Sequence, residues 1–297
     1  MKDNKKFRGT GVAIVTPFKS DSSIDFAALG RVVNHTISGG VNYIVVLGTT
    51  GESVTLTKDE KKAVISYVAE VTDNRVPLVM GIGGNNTQEV INCIRQSNLS
   101  RVDGILSVAP YYNKPNQRGL LQHFKAIATT SPIPVILYNV PGRTCSNISS
   151  ETCIQLASEC ENIVAVKEAS GDIAQIMRII KGKPDNFNVI SGDDMLTIPI
   201  IASGGSGIIS VLANAFPAVT SELVTHALKS NFKSAREIQC RYLEMIELLF
   251  VDGNPAGVKA MLSIMNLCQN NLRLPLVPVN RTIYTRIQKA MDEVNKC

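Results

Sequence analysis

A lysine closes the apolar run Ile163-Val-Ala-Val-Lys-Glu-Ala169. If that run is a strand, side-chain alternation puts Ala165, Lys167 and Ala169 on one face and Val164 and Val166 on the other. An amine kept dry between small neighbours is favoured in its neutral form, the form that attacks a carbonyl carbon. The alternative is a structural lysine paired with a buried carboxylate. Tyr138 shares a strand face with Ile136 and Val140. It either fills the core with its hydroxyl on backbone, or carries protons to and from an imine-forming centre. A phenol holds its proton at neutral pH and needs relay partners; the hydroxyls of Thr49 and Tyr112 are available. The segment Gly48-Thr-Thr-Gly-Glu-Ser53 combines small residues with two threonine hydroxyls, which suits a carboxylate held by backbone N–H groups and a threonine side chain. It lacks the Lys-Ser/Thr that ends a phosphate-binding loop. Arg143 follows the turn-forming Pro141-Gly142 and is either a surface residue or a guanidinium fork reaching over the site toward a carboxylate.

Such residues need a frame that brings strand ends together. Eight short runs rich in Val and Ile read as strands: Gly11–Thr16, Tyr43–Leu47, Pro77–Ile82, Gly104–Val108, Pro134–Asn139, Ile163–Lys167, Phe187–Ser191 and Gly207–Val211. Most are apolar on consecutive residues, as in parallel strands covered on both faces. Helical segments lie between them, with N-caps expected at Asp25, Asn86, Asn116, Ser149 and Asp172 and a capping box at Thr57-Lys-Asp-Glu60. Eight strand–helix alternations are the count that closes a (β/α)8 TIM barrel, and no Gly-rich dinucleotide turn follows the first strand. After Phe216-Pro217 only amphipathic stretches remain, near Thr220–Lys229, Ser234–Phe250, Pro255–Cys268 and Thr282–Val294. The expected organisation is a catalytic barrel over residues 1–229 and a three-helix C-terminal extension over 230–297, packed against it. In such barrels the chemistry gathers at the C-terminal ends of the strands. Thr16, the 48–53 segment, Tyr111-Tyr112, Tyr138, Arg143, Lys167, Gly192-Asp-Asp194 and Ser210 all fall there.

Bulk properties narrow the function. The chain has 297 residues, with 30 basic side chains scattered among 25 acidic ones and no Trp, so no basic stripe marks a nucleic-acid surface. No apolar stretch is long enough to span a bilayer. Met1 to Arg8 reads as a polar surface lead-in without the apolar segment of an export signal. The seven cysteines contain no C-x-x-C pair, and Cys145, Cys153 and Cys160 have no histidine nearby to complete a metal site, so free thiols in a cytoplasmic protein are expected.

Five segments taken in order, GTTGES at 48–53, PYYNKP at 110–115, YNVPGRT at 138–144, VKEASGD at 166–172 and SGDD at 191–194, resemble the dihydrodipicolinate synthase family of pyruvate-dependent class I aldolases and lyases. The resemblance runs from Gly11-Val-Ala-Ile-Val-Thr-Pro17 to Leu272-Arg-Leu-Pro275. It implies condensation of pyruvate with L-aspartate 4-semialdehyde in lysine and diaminopimelate biosynthesis, with no metal or organic cofactor because the protonated imine is the electron sink. Lys167 matches the Schiff-base lysine, and Tyr138, Thr49 and Tyr112 match the proton relay, Tyr112 reaching into a neighbouring subunit's site. Thr50 matches the binder of the pyruvate carboxylate, Gly192 and Ile209 match backbone positions lining the site, and Arg143 matches the binder of the semialdehyde carboxylate. A homo-oligomer, at least a dimer and commonly a dimer of dimers, is implied. Ser53, Val54, Asn85, Glu89 and Tyr111 match an inhibitory lysine site between subunits, but Lys58 and Lys61 stand where lysine-sensitive members often carry histidines, so weak or absent inhibition is expected. N-acetylneuraminate lyase or a keto-deoxy sugar acid aldolase would share the lysine, tyrosine and threonine loop but has no use for Arg143. A catalytically silent metabolite-binding barrel would tolerate loss of the reactive residues, all of which are present.

Overall fold

The computed structural model describes residues 4–294. Eight parallel strands, β1 (Gly9–Ala13), β2 (Tyr43–Val46), β3 (Leu78–Gly81), β4 (Gly104–Val108), β5 (Val135–Asn139), β6 (Ile163–Glu168), β7 (Asn188–Ser191) and β8 (Gly207–Ser210), form a closed barrel in sequence order. Pairing of Gly9 with Gly207 and of Gly11 with Ile209 joins the last strand to the first. Around and between the strands run α1 (Phe26–Ser38), α2 (Lys58–Thr72), α3 (Thr87–Gln96), α4 (Gln117–Thr130), α5 (Pro141–Thr144), α6 (Ser150–Glu159), α7 (Ile173–Gly182), α8 (Thr197–Ala202) and α9 (Pro217–Leu228). Then follow α10 (Phe232–Arg241), α11 (Leu243–Leu248), α12 (Ala256–Ile264) and α13 (Arg281–Val294).

Local chemistry sets the helix starts. Asp25, Asn86, Asn116, Ser149 and Asp172 each accept a backbone N–H of the first turn, satisfying a donor that the helix itself leaves open. Thr57 and Glu60 form both halves of the expected capping box. Two cores result. Apolar faces of the helices pack on the outer face of the sheet, and a smaller cluster including Tyr43, Val79, Ile136, Tyr138, Ala165 and Ile209 fills the barrel.

Three expectations are corrected. Val164 joins the interior cluster while only Val166 faces outward, because the pairing slips: Val135 pairs with Ile163 but Ile136 pairs with Ala165. Phe7 is no part of a surface lead-in; it is 1% exposed, on a 3-10 turn over Asn4–Phe7, and packs edge-on against Tyr43 in the barrel interior. Met1 to Asp3 of that lead-in lie outside the described residues. Tyr43 fits there because Gly11 has no side chain, since a Cβ on Gly11 would stand 2.3 Å from the tyrosine ring. The stretch 234–250 is two helices that meet at the buried Tyr242, whose ring packs on Phe216 at 5.3 Å. No helix among the described residues is long and apolar enough to cross a membrane.

Candidate active site

Neighbouring strands set the central pair. Tyr138 on β5 and Lys167 on β6 are direct partners in the ladder, and both point into the barrel near its C-terminal end. Lys167 is 5% exposed, and its Nζ lies 4.3 Å from the centroid of the Tyr138 ring. Among the described residues, no carboxylate pairs with this amine. That removes the reading of Lys167 as a structural ion pair. A cation held on a ring face without a counter-ion gives up much of its hydration for a modest attraction. Ala165 and Ala169 flank the lysine as alternation required. On the next strand end Gly192 leaves the space beside it: a Cβ there would lie 3.0 Å from Lys167 Cε and 2.8 Å from Ala169 Cβ. Ile209 is buried in the same interior cluster.

The loop after β2 is built as a rigid unit. Thr16 Oγ1 donates to Gly51 O at 2.8 Å, and Thr50, 2% exposed, accepts at Oγ1 from Asn254 Nδ2 at 3.0 Å. Glu52 takes a left-handed backbone with φ of 50° and turns its carboxylate into the protein. There it accepts from Lys259 Nζ, both side chains fully enclosed, and from Arg273 N at 3.1 Å. Lys259 also donates to Asn271 O at 2.9 Å and lies 4.2 Å from the Phe18 ring centroid. Burial pulls the Lys259 pKa down, while the Glu52 charge opposes that shift. Next to it Arg273 donates to both oxygens of Glu60, which holds the Glu60 carboxyl down at about 2 against the cost of its partial burial. The C-terminal part of the chain, through Lys259 on α12 and through Asn254 and Arg273 in the connections beside it, thus anchors the loop carrying Thr49 and Thr50. Beyond β1, Asp194 accepts from Ser210 Oγ and from Val211 N at 2.9 Å, tying the end of β7 to the end of β8. Burial pushes its carboxyl up despite these donors.

The remaining expected residues stand at the mouth. Thr49 is half-buried, and Arg143, on the short α5, is exposed. Tyr112 is 89% exposed with a left-handed φ of 72°. Neither Thr49 nor Tyr112 is hydrogen-bonded to Tyr138 within the single chain. Ser53 and Asn85 are half-buried, Val54, Glu89 and Tyr111 exposed, and Asn113 Nδ2 donates to Asn85 O at 2.9 Å. Sequence reasoning missed Asn254, Lys259 and Arg273. Lys259 did carry a signal: it is the one charge in the apolar helix Ala-Gly-Val-Lys-Ala-Met-Leu-Ser-Ile.

With that geometry in place, residues 6–294 match the model of the dihydrodipicolinate synthetase family. The chain belongs to that family. A 4-hydroxy-tetrahydrodipicolinate synthase from Parabacteroides distasonis is 50% identical over 291 residues, 98% of each chain. One from Flavobacterium psychrophilum is 49% identical over 98% of this chain and 99% of its own. The crystal structure of dihydrodipicolinate synthase from Aquifex aeolicus superposes with a TM-score of 0.94 at 40% identity, covering 97% of this chain and 98% of that one. Family membership makes the protein an enzyme and agrees with the barrel.

Proposed function

We propose that this enzyme condenses pyruvate with L-aspartate 4-semialdehyde to give 4-hydroxy-tetrahydrodipicolinate, through an imine on Lys167. The observation that carries this reading is the buried Lys167 amine, without a carboxylate partner, over the ring of Tyr138. Neutral Nζ adds to C2 of pyruvate, and the resulting carbinolamine loses its hydroxyl as water to leave a protonated imine. The positive nitrogen makes the adjacent methyl acidic. Loss of a C3 proton yields an enamine, whose carbon bonds to the aldehyde carbon of the semialdehyde as that oxygen takes up a proton. The amino group of the second substrate then attacks C2, closes the ring and expels Lys167 as the free amine.

Tyr138 is the proton carrier, donating to the carbinolamine hydroxyl as it leaves as water, with Thr49 and Tyr112 as its relay. Thr50 and the N–H groups of its loop hold the pyruvate carboxylate, Gly192 and Ile209 line the pocket, and Arg143 takes the carboxylate of the semialdehyde. A tyrosine as exposed as Tyr112, in a left-handed backbone, supports a role in covering the site of a second copy. The working unit is therefore at least a homodimer, and a dimer of dimers is the arrangement we favour. Ser53, Val54, Asn85, Glu89 and Tyr111 are compatible with a lysine-binding site between copies, and the charges of Lys58 and Lys61 leave that site weak or without effect. The reaction needs no metal or organic cofactor, and we assign it to the cytoplasm. A steady-state assay with L-aspartate 4-semialdehyde and with sugar-derived aldehydes tests the assignment. Condensation with the semialdehyde, with an Arg143→Ala variant raising its KM about 100-fold while sparing that of pyruvate, is expected. Preference for a polyhydroxylated aldehyde would overturn it.

A further inference from the structure

Glu168, the residue after Lys167, has the opposite orientation and a surrounding that the mechanism has not used. It is 0% exposed, and its carboxylate meets only neutral donors. Oε1 accepts from Asn139 Nδ2 at 2.6 Å and from Gln175 Nε2 at 2.9 Å. Oε2 accepts from Ser170 N at 3.0 Å and Ser170 Oγ at 2.6 Å. Among the described residues no cation is paired with it. Four donors satisfy the acceptor capacity of a carboxylate, so the cost of burying it is met by dipoles fixed in place.

The placement of those dipoles bears on the chemistry. Asn139 follows Tyr138 as Glu168 follows Lys167, and the two residues are direct ladder partners. The Asn139–Glu168 bond therefore locks the outward side chains one step beyond the inward Tyr138–Lys167 pair. Asn139 is itself held on both ends, its Oδ1 accepting from Ile148 N at 2.9 Å and its Nδ2 also donating to Asn147 Oδ1 at 2.8 Å. Gln175 on α7 accepts from Asn147 Nδ2 at 2.8 Å and so closes the circuit. Through its backbone, Glu168 O accepts from Gly192 N at 2.7 Å, fixing the glycine that packs on Lys167 Cε.

We propose that Glu168 is a positioning residue for imine formation, clamping the ends of β5, β6 and β7 so that the Lys167 amine and the Tyr138 phenol keep their mutual geometry. The inference rests on the reading of Lys167 as the imine-forming amine. Glu168→Gln keeps the shape but turns an N–H pair toward groups that are already donors. Asn139→Asp in the same chain restores complementarity once the side-chain amides of Asn147 and Gln175 turn over, because the new carboxylate then accepts from Ile148 N, from the new amide and from Asn147, and Gln175 accepts from the new amide.

The experiment measures the rate of borohydride-trapped pyruvate adduct and the steady-state kcat and KM on three proteins: wild type, Glu168→Gln, and Glu168→Gln with Asn139→Asp. Expected for the single variant is a roughly 10- to 100-fold loss in trapping rate and kcat, since a displacement of about 1 Å at reacting groups costs that much. KM for pyruvate should stay within about twofold, because the loop that would hold its carboxylate is untouched, and the double variant should recover at least about a third of the lost rate on a logarithmic scale. A folded single variant that traps pyruvate at the wild-type rate, or a double variant with no recovery, overturns the role. Should the single variant not fold, Gln175→Leu removes one donor; a several-fold loss of kcat at constant KM supports the clamp, and an unchanged kcat overturns it. Failure of wild type itself to trap pyruvate would sink the imine reading instead, a distinct outcome.

Discussion

Replacing Lys259 by Met should destabilise the enzyme by about 3–5 kcal/mol, the cost of leaving a buried charge without its partner. The structure makes the reason specific. Lys259 and Glu52 are both fully enclosed, and without the ammonium the Glu52 carboxylate keeps a single contact, the Arg273 N–H at 3.1 Å. Methionine has nearly the same length and keeps contact with the Phe18 ring, so little of the loss would come from a cavity. With an unfolding entropy of about 2.1 cal/mol/K per residue, a chain of this size loses ~0.6 kcal/mol for each degree, so the melting temperature should fall by about 5–8 °C. Adding Glu52→Gln to Lys259→Met removes the orphaned charge and should return most of that loss. Calorimetry of wild type, single and double variants at pH 7.5 checks both steps. A single variant melting within about 1 °C of wild type would refute the reasoning, because it would mean that the pair is not dry.

Further outcomes follow from other sites. His123 is 5% exposed, and burial holds its pKa at about 4 against an ordinary 6.5, so the unfolded chain binds the extra proton first on acidification. Stability should then be full above pH 6.5 and decline down to pH 4, with about 2 kcal/mol lost by pH 5; denaturant titrations of wild type and His123→Gln should differ in this slope. Gly192→Ala sets a methyl against Lys167 Cε, Ala169 Cβ and the Glu168 carbonyl oxygen, and should cut the rate of imine trapping roughly 100-fold, measured by rapid quench, while overpacking lowers stability by about 1–3 kcal/mol. Lysine at millimolar concentration should leave activity nearly unchanged, because Lys58 and Lys61 at the start of α2 disfavour a cationic effector; a steady-state titration showing sharp inhibition below that range contradicts this.

What could be read from the sequence was what short-range chemistry decides. Asp25, Thr57, Asn86, Asn116, Ser149 and Asp172 mark their helices because a cap bonds to a backbone N–H only two or three residues away. The inward pairing of Tyr138 and Lys167 followed from alternation once each run was taken as a strand. The slip that turns Val164 inward was hidden, since it depends on which residues of β5 lie opposite. Phe7 was hidden too: one aromatic ring in a basic lead-in has no periodicity, and only the open space beside Tyr43 gives it a place. Lys259 and Glu52 are 207 residues apart, and nothing local announces that one will neutralise the other. The same holds for Asn254 and Thr50, so the anchoring of the threonine loop by the C-terminal part of the chain emerges only from the packed chain.

The central claim is that the Lys167 amine carries the reaction, and reductive trapping tests it most directly. Incubation with pyruvate and borohydride, followed by intact-mass and peptide-mass measurement, should give one irreversible adduct per chain, on Lys167, and none in Lys167→Arg. An unmodified Lys167 in wild type, or an equal adduct elsewhere in the Lys167→Arg protein, would contradict the account.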